Sequence, residues 1–102
     1  MHVISRKALR AFWVVHPDAE RPLRHWFKNA DAAVWQSFAD VRAVYAKADQ
    51  VGQFTVFNVG GNAYRMITRV EYHRQEVYIR WVLTHAEYDK DDWKRDSWFQ
   101  RN

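Results

Sequence analysis

The stretch that decides the fold starts with Gln53-Phe54-Thr55-Val56-Phe57-Asn58-Val59, continues through Gly60-Gly61-Asn62, and runs on from Ala63 to Tyr72. β-Branched and aromatic residues dominate both outer runs, which is typical of strands, and the glycine pair between them favours a tight hairpin turn. A second turn, His73-Arg74-Gln75, leads to another strand from Glu76 to Leu83. The pattern predicts a three-stranded antiparallel meander.

Helical periodicity dominates the chain before this meander. His2-Val3-Ile4 suits a short first strand, and Ser5 is a good N-cap for a helix that we expect to end at His16-Pro17, because proline disfavours a helical residue before it. Asp18 is expected to cap a second helix, with Pro22 in its first turn. Its core-facing stripe is predicted to contain Leu23, Trp26, Phe27 and Ala30.

Two further short helices are predicted. After a connection over residues 29–36, Ser37 and Asp40 resemble a capping box for a third helix. Its apolar face would contain Phe38, Val41, Val44 and Tyr45. Thr84 and Glu87 form a second capping box, for a helix after the last strand. Helices followed by a meander predict the α+β class, as a single domain over residues 1–102.

The composition limits the cellular context. The chain has no Cys, which argues against a disulfide scaffold or a thiolate metal site and favours a reducing compartment, so the expected location is the cytoplasm. The N-terminus has no signal-like apolar stretch, and no run approaches the roughly 18 apolar residues of a membrane span. No membrane association is expected.

The charge points to polyanionic partners. Lys and Arg outnumber Asp and Glu by 16 to 12, and 11 of those 16 cations are Arg, whose planar fork binds phosphate in bidentate fashion and stacks on bases. Strand alternation would place Arg65 and Arg69 on one side of their strand. In the next strand, Tyr78 and Arg80 would lie on one side, and the other side would be apolar, formed by Val77, Ile79, Trp81 and Leu83. We expect all four polar residues on the face away from the helices.

Such a face supplies cations for phosphates and planar groups for splayed bases, as single-stranded RNA binding requires. Alternation alone favours a different interpretation, because half-solvated antiparallel sheets commonly carry solubilising arginines on their open side.

Two longer motifs add specificity. They are Phe57-Asn58-Val59-Gly60-Gly61-Asn62-Ala63-Tyr64-Arg65-Met66-Ile67 and Val77-Tyr78-Ile79-Arg80-Trp81-Val82-Leu83-Thr84-His85-Ala86-Glu87-Tyr88-Asp89-Lys90. The pair closely resembles the HigB family of toxins within the RelE-like superfamily, and the start of the chain and His16-Pro17 extend the resemblance over essentially the whole sequence. Residues 29–50 and the tail beyond Lys90 carry little of it.

The resemblance implies a RelE-like fold, with an N-terminal strand and helices on one face of an antiparallel sheet and a short helix after the last strand. It also implies a type II toxin that cleaves mRNA on the ribosome and so stops translation, neutralised by a HigA-type helix-turn-helix antitoxin. Operator DNA would be contacted only through that antitoxin. No cofactor is implied.

Metal-independent RNA cleavage needs proton transfer and stabilisation of the phosphorane. We expect His85 to transfer a proton and Arg65 and Arg80 to stabilise the developing charge. Tyr88 lies three residues after His85, so both can share one side of a helical turn. Tyr88 would donate a proton, stack on a base, or pack the helix against the sheet.

Four other residues are expected to bind RNA: Asn62, Arg69, Tyr78 and Lys90. Asn62 has an alternative role, because tight turns tolerate Asn at positive φ, whereas Gly60 and Gly61 are assigned to the turn itself. The tail residues Trp93, Trp98 and Phe99 would either dock on the domain or contact a partner.

Other functional classes have weaker support. The five His residues lack metal-ligand spacing, so no metal site is predicted, and Gly60-Gly61 is unlike a phosphate-binding loop. Two rivals to a nuclease use the same surface: a module that blocks translation without cutting RNA, and a structural partner in a complex that represses transcription.

Overall fold

The computed structural model describes residues 1–99. Their elements, in chain order, are β1 (His2–Ile4), α1 (Arg6–Val15), α2 (Glu20–Ala32), α3 (Phe38–Val44), β2 (Asp49–Val51), β3 (Phe54–Val59), β4 (Tyr64–Glu71), β5 (Glu76–Thr84) and α4 (His85–Asp89). Short 3₁₀ turns occupy Pro17–Ala19 and Asp92–Arg95. The predicted α+β class is confirmed.

The five strands form one sheet in the order β1-β5-β4-β3-β2. The pairs β3/β4 and β4/β5 are antiparallel, as the two predicted turns require, and β2/β3 is antiparallel as well, whereas β1 runs parallel to β5 at the edge. The helices α1 to α3 and the strands β2 to β4 lie between β1 and β5 in the chain and supply the long connection that a parallel pair needs. The edge strand β2 was not predicted, since its three residues carry too short a pattern to identify.

The helices cover one face of the sheet and bury the main core there. Leu9 of α1 and Leu23 and Trp26 of α2 are almost inaccessible to solvent, and the sheet side of this core includes Phe57 and Met66. Trp26 and Phe57 meet edge to face with ring centroids 5.4 Å apart. The apolar stripe predicted for the second helix therefore faces the core.

Several local predictions about the helix ends are wrong. Asp18 does not cap α2; it lies in the preceding 3₁₀ turn and accepts a hydrogen bond from the Tyr64 hydroxyl at 2.5 Å. Ser37 makes no side-chain cap, and Asp40 accepts a hydrogen bond from the Gln36 backbone instead. Helix α2 continues to Ala32, which shortens the predicted connection.

A β-bulge in β5 changes the predicted faces of that strand. Ile67 pairs with Trp81 and Thr68 pairs with Ile79, so Arg80 is the extra residue on the bulged side. Val77 and Ile79 pack into the core beneath the helices, but Trp81 and Leu83 lie on the opposite face beside Trp93. The prediction that all four apolar residues share one side is therefore wrong. Simple alternation cannot anticipate an extra residue.

The second face of the sheet has a small core of its own. Phe54, Val56 and Ile67 are buried there against Trp93, which is only 2% exposed. Trp98 and Phe99 pack on the same cluster. Of the two alternatives for the tail, the structure shows docking on the domain, so part of the face expected to be open is covered.

Among residues 1–99, no helix combines the length and hydropathy needed to cross a membrane.

Candidate active site

Arg65 lies at the uncovered end of the second sheet face. In the register of the sheet it stands between Asn58 of β3 and Leu83 of β5. Its Nη1 donates to the backbone carbonyls of Asn62 and Tyr64, both at 3.2 Å, and the guanidinium carbon lies 5.7 Å from the centroid of the Tyr88 ring. Within residues 1–99 no carboxylate pairs with Arg65, so its charge stays available to an anion.

Helix α4 begins directly beside Arg65. The predicted capping box is confirmed: the Thr84 hydroxyl accepts from the Glu87 backbone N–H at 3.2 Å, and the Glu87 carboxylate accepts from the Thr84 backbone N–H at 2.9 Å. The backbone N–H of His85 donates to the Ala63 carbonyl at 3.1 Å. These bonds fix the start of α4 against the strand that carries Arg65.

His85 presents an imidazole that solvent can reach. Its side chain is 50% exposed, and Nδ1 lies 3.0 Å from the Asp89 carboxylate. A carboxylate on Nδ1 orients the ring and leaves Nε2 for proton transfer. Asp89 was not among the predicted site residues, although its spacing of four residues from His85 on a helix could have indicated the pair.

Tyr88 packs toward the sheet and also borders Arg65. Its ring stacks on Trp93, with centroids 5.2 Å apart and planes inclined by 11°. Burial raises the pKa of the Tyr88 phenol and the nearby Asp49 carboxylate adds to this, against a smaller lowering effect of Arg65. The phenol therefore stays protonated at neutral pH. The packing role foreseen for Tyr88 is present, and the same ring contacts the Arg65 guanidinium.

Arg80 belongs to a different group of side chains. Its Nε and Nη2 donate to the two carboxylate oxygens of Asp96 at 3.1 and 2.9 Å, and its guanidinium carbon lies 3.9 Å from the Trp98 ring centroid. The indole N–H of Trp81 donates to the same carboxylate at 2.9 Å. We call Arg80, Trp81, Asp96 and Trp98 the Asp96 cluster. Sequence reasoning missed Asp96, for which nothing in the sequence indicated a partner.

The Asp96 side chain is almost fully buried, with 2% of its surface exposed. Burial by itself raises the pKa of this carboxyl, but hydrogen bonds from Arg80, the Trp98 backbone and Trp81 outweigh it, so the pKa lies below its ordinary value. Asp96 is therefore ionised at neutral pH and neutralises Arg80.

Arg69 and Tyr78 are also on this face, as predicted, but both have partners. Arg69 Nε lies 2.7 Å from the Glu71 carboxylate. The Tyr78 hydroxyl donates to Glu76 at 2.9 Å, and its ring meets Trp98 edge to face at 5.5 Å. Within residues 1–99, neither side chain is hydrogen-bonded to Arg65 or to His85.

Asn62 and Lys90 flank the Arg65 region. Gly60 and Gly61 both have positive φ, at 63° and 67°, which confirms their turn role. Asn62 does not share that conformation, so tolerance of positive φ does not explain it. Its side chain lines a cavity of about 360 Å³ with Lys47 and Asn58. Lys90 is exposed just after α4.

Within residues 1–99, no group of three or more His, Asp or Glu side chains is placed to hold a metal ion. Arg65, His85, Asp89 and Tyr88, which we call the Arg65 cluster, instead combine an unneutralised cation, an oriented imidazole and a protonated phenol. Such a set can bind a phosphodiester and move protons around it.

Comparisons with known proteins agree with this chemistry. A model of the HigB toxin family, the RelE-like toxic component of a toxin–antitoxin system, matches residues 19–91. The mRNA interferase toxin HigB of Escherichia coli strain K12 is 33% identical over 92 residues, covering 87% of this chain and 88% of the relative. The mRNA interferase HigB of Shigella flexneri has the same identity and coverage. A further mRNA interferase HigB, from Escherichia coli O6:H1, is 23% identical over 88% of this chain and 90% of its own length. This chain therefore belongs to the HigB family of RelE-like toxins.

Proposed function

We propose that this chain is the toxin of a type II toxin–antitoxin system and inhibits translation by cleaving mRNA on the ribosome without a metal ion. The observation that carries the proposal is the Arg65 cluster. In a member of this toxin family, the Arg65 guanidinium has no carboxylate partner within residues 1–99 and borders Tyr88 of helix α4. The same helix begins with His85, whose exposed imidazole is paired with the Asp89 carboxylate.

Each step of the cleavage has a candidate group. The His85 imidazole takes the proton of the ribose 2′-hydroxyl through Nε2, and the 2′-oxygen attacks the adjacent phosphorus. Arg65 stabilises the charge that develops on the phosphorane oxygens. The Tyr88 phenol protonates the departing 5′-oxygen, and a 2′,3′-cyclic phosphate remains. A positioned acid or base is worth about 10²–10⁴ in rate, and a preorganised charge donor about 10²–10³.

Arg80 has a smaller share in this mechanism. Its hydrogen bonds to Asp96 use two of the five guanidinium N–H groups, one on Nε and one on Nη2, and the carboxylate neutralises its charge, so Arg80 attracts a phosphate less strongly than Arg65 does. Lys90 and Asn62 hold nucleotides on either side of Arg65, while Arg69 and Tyr78 contact RNA farther along β4 and β5.

The partners follow from the same assignment. A toxin of this family requires an antitoxin, and we propose that this antitoxin is a HigA-type helix-turn-helix protein. The complex contacts operator DNA only through the antitoxin. The proposed substrate is mRNA on the ribosome, so the expected compartment is the cytoplasm.

Induced expression followed by mapping of mRNA 5′ ends tests the proposal. The unsubstituted chain should arrest growth and create new 5′ ends, whereas His85→Ala should relieve arrest and remove those ends. Arrest with intact message would indicate a non-cleaving blocker, and an absence of both effects would indicate a structural partner only.

The matched control for His85→Ala is His25→Ala. His25 is an exposed histidine on α2, and its ring nitrogen lies 3.3 Å from the Asn29 amide nitrogen four residues later. It therefore resembles His85 in exposure and helical setting but lies outside the Arg65 cluster. If the His25 variant lost toxicity as completely as the His85 variant, the assignment of His85 would be wrong.

Tyr88→Phe separates the two contributions of Tyr88. The substitution removes the hydroxyl but keeps the ring that stacks on Trp93 and borders Arg65. Proton donation by the phenol predicts a loss of about 10²-fold or more in cleavage rate. Retention of the full rate would show that the ring acts only by positioning Arg65.

A further inference from the structure

A shallow pocket of about 200 Å³ adjoins the Arg65 cluster on the β5 side. It is lined by Trp81, Leu83, Glu87, Lys90, Asp92 and Trp93. Leu83 stands directly opposite Arg65 in the register of the sheet, and neighbouring strands are about 4.8 Å apart, so the pocket begins within one strand spacing of Arg65. Tyr88 and Trp93, stacked on each other, connect the pocket to the proposed catalytic groups.

Trp81 is the unusual feature of this pocket. It is 41% exposed, whereas Trp26, Trp35 and Trp93 are each at most 3% exposed. The bulge at Arg80 is the reason, because it turns Trp81 away from the helix-covered core and onto the second face. The Asp96 carboxylate then holds its indole N–H at 2.9 Å, which fixes the edge of the ring while leaving part of the indole in solvent.

We propose that Trp81 is a stacking platform for one nucleobase of the RNA, next to the nucleotide whose phosphate Arg65 binds. The inference rests on the proposed cleavage of RNA and adds to it a base-binding site. An aromatic side chain held rigid at its edge loses little conformational entropy when a base stacks on it. Lys90, on the rim of the pocket, supplies a cation for the adjoining phosphate.

Two substitutions distinguish stacking from a purely structural role. Trp81→Ala removes the ring and the hydrogen bond to Asp96, whereas Trp81→Phe removes the hydrogen bond but keeps an aromatic face. Asp96 retains its bonds from Arg80 and the Trp98 backbone in both variants, so the fold should persist. Trp13→Ala is the matched control, because Trp13 is a partly exposed Trp of α1 on the helical side of the molecule.

The measurement is the affinity of the full chain for a fluorescein-labelled, 2′-O-methylated oligoribonucleotide, which cannot be cleaved. Stacking of one base contributes about 5- to 150-fold in affinity by alanine substitution. We expect Trp81→Ala to weaken binding about 10-fold, Trp81→Phe less than about 3-fold, and Trp13→Ala not at all. Equal losses for Ala and Phe at position 81, no loss for either, or no binding by the unsubstituted chain would overturn the platform.

Mapping of 5′ ends in cells separates this inference from the proposed function. If RNA binding depends on an aromatic residue at position 81 but the unsubstituted chain creates no new 5′ ends, the base-binding site is supported and the proposed nuclease activity is wrong. If the unsubstituted chain cleaves mRNA and Trp81→Ala cleaves it equally well, the nuclease activity is supported and the base-binding site is wrong.

Discussion

Two arginines on the same face of the sheet have opposite electrostatic surroundings. Arg65 is held by neutral groups, namely two backbone carbonyls and the face of the Tyr88 ring. Arg80 is held by a buried carboxylate, that of Asp96, through two hydrogen bonds. Carbonyls orient a guanidinium without cancelling its charge, whereas a carboxylate cancels it.

The comparison shows that two arginines from neighbouring strands of one sheet face need not be equally available to an anion. Arg65 retains the net charge that the proposed stabilisation of a phosphorane needs, while Arg80 anchors the C-terminal segment over the second core. Each region should therefore respond differently to the same substitution: loss of cleavage in the Arg65 cluster, and loss of stability in the Asp96 cluster.

The largest expected difference is in catalysis. Arg65→Ala should lower the cleavage rate about 10²–10³-fold, because it removes the charge aimed at the phosphorane. Arg80→Ala should lower it less than about 10-fold when both variants are assayed at a temperature where they remain folded. The measurement is the single-turnover rate of each variant on ribosome-bound mRNA. Equal losses of rate would show that the two arginines contribute equally to cleavage.

The next difference is in the free energy of unfolding. Asp96→Ala should lower it by about 2–3 kcal/mol, below the roughly 3–5 kcal/mol of a fully buried broken pair, because the Arg80 side chain is 29% exposed and can be partly resolvated. Urea denaturation measures this value. Arg65→Ala is the comparison, with an expected loss of unfolding free energy under about 1 kcal/mol. A loss as large as that of Asp96→Ala would contradict the assignment of stability to the Asp96 cluster.

A pH dependence should distinguish the clusters further. The pKa of Asp96 is lower in the folded chain than its ordinary value, so the unfolded chain binds the proton more readily in acid. The stabilisation from this carboxylate is fully present above about pH 4, the ordinary Asp value, and is lost as pH falls through the folded pKa. The measurement is urea denaturation from pH 6 down to pH 2.5, with Asp96→Asn as the control. The stability advantage of the unsubstituted chain over this variant should shrink toward pH 2.5, and an advantage that stays constant would contradict the assignment.

The smallest expected effect is on the salt dependence of RNA binding. Each single-strand phosphate contact contributes a slope of about 0.7 in log affinity against log salt. Arg65→Ala should reduce the slope of oligoribonucleotide binding by about that amount. Arg80→Ala should leave it nearly unchanged, because Arg80 is already neutralised by Asp96. A reduction of equal size in both variants would show that Arg80 also contacts a phosphate.

Local patterns were sufficient for most of the architecture. Strand composition and the glycine turn gave β3, β4 and β5, and the capping box from Thr84 to Glu87 gave the start of α4, because these signals depend on residues close together in the chain. Helix ends were less predictable: Asp18 has a capping side chain but bonds Tyr64, 46 residues away.

The sequence by itself determined the α+β class, the family resemblance and the position of His85 at the start of a capped helix after the last strand, since strands and capping boxes follow from short-range rules. Only the tertiary structure decided that Arg80 is neutralised, that Trp81 is turned to solvent and that the tail covers part of the sheet. These outcomes depend on one inserted residue in β5 and on a carboxylate 16 positions beyond Arg80. A bulge and a long-range ion pair are selected by packing across the whole fold, and no local pattern encodes them.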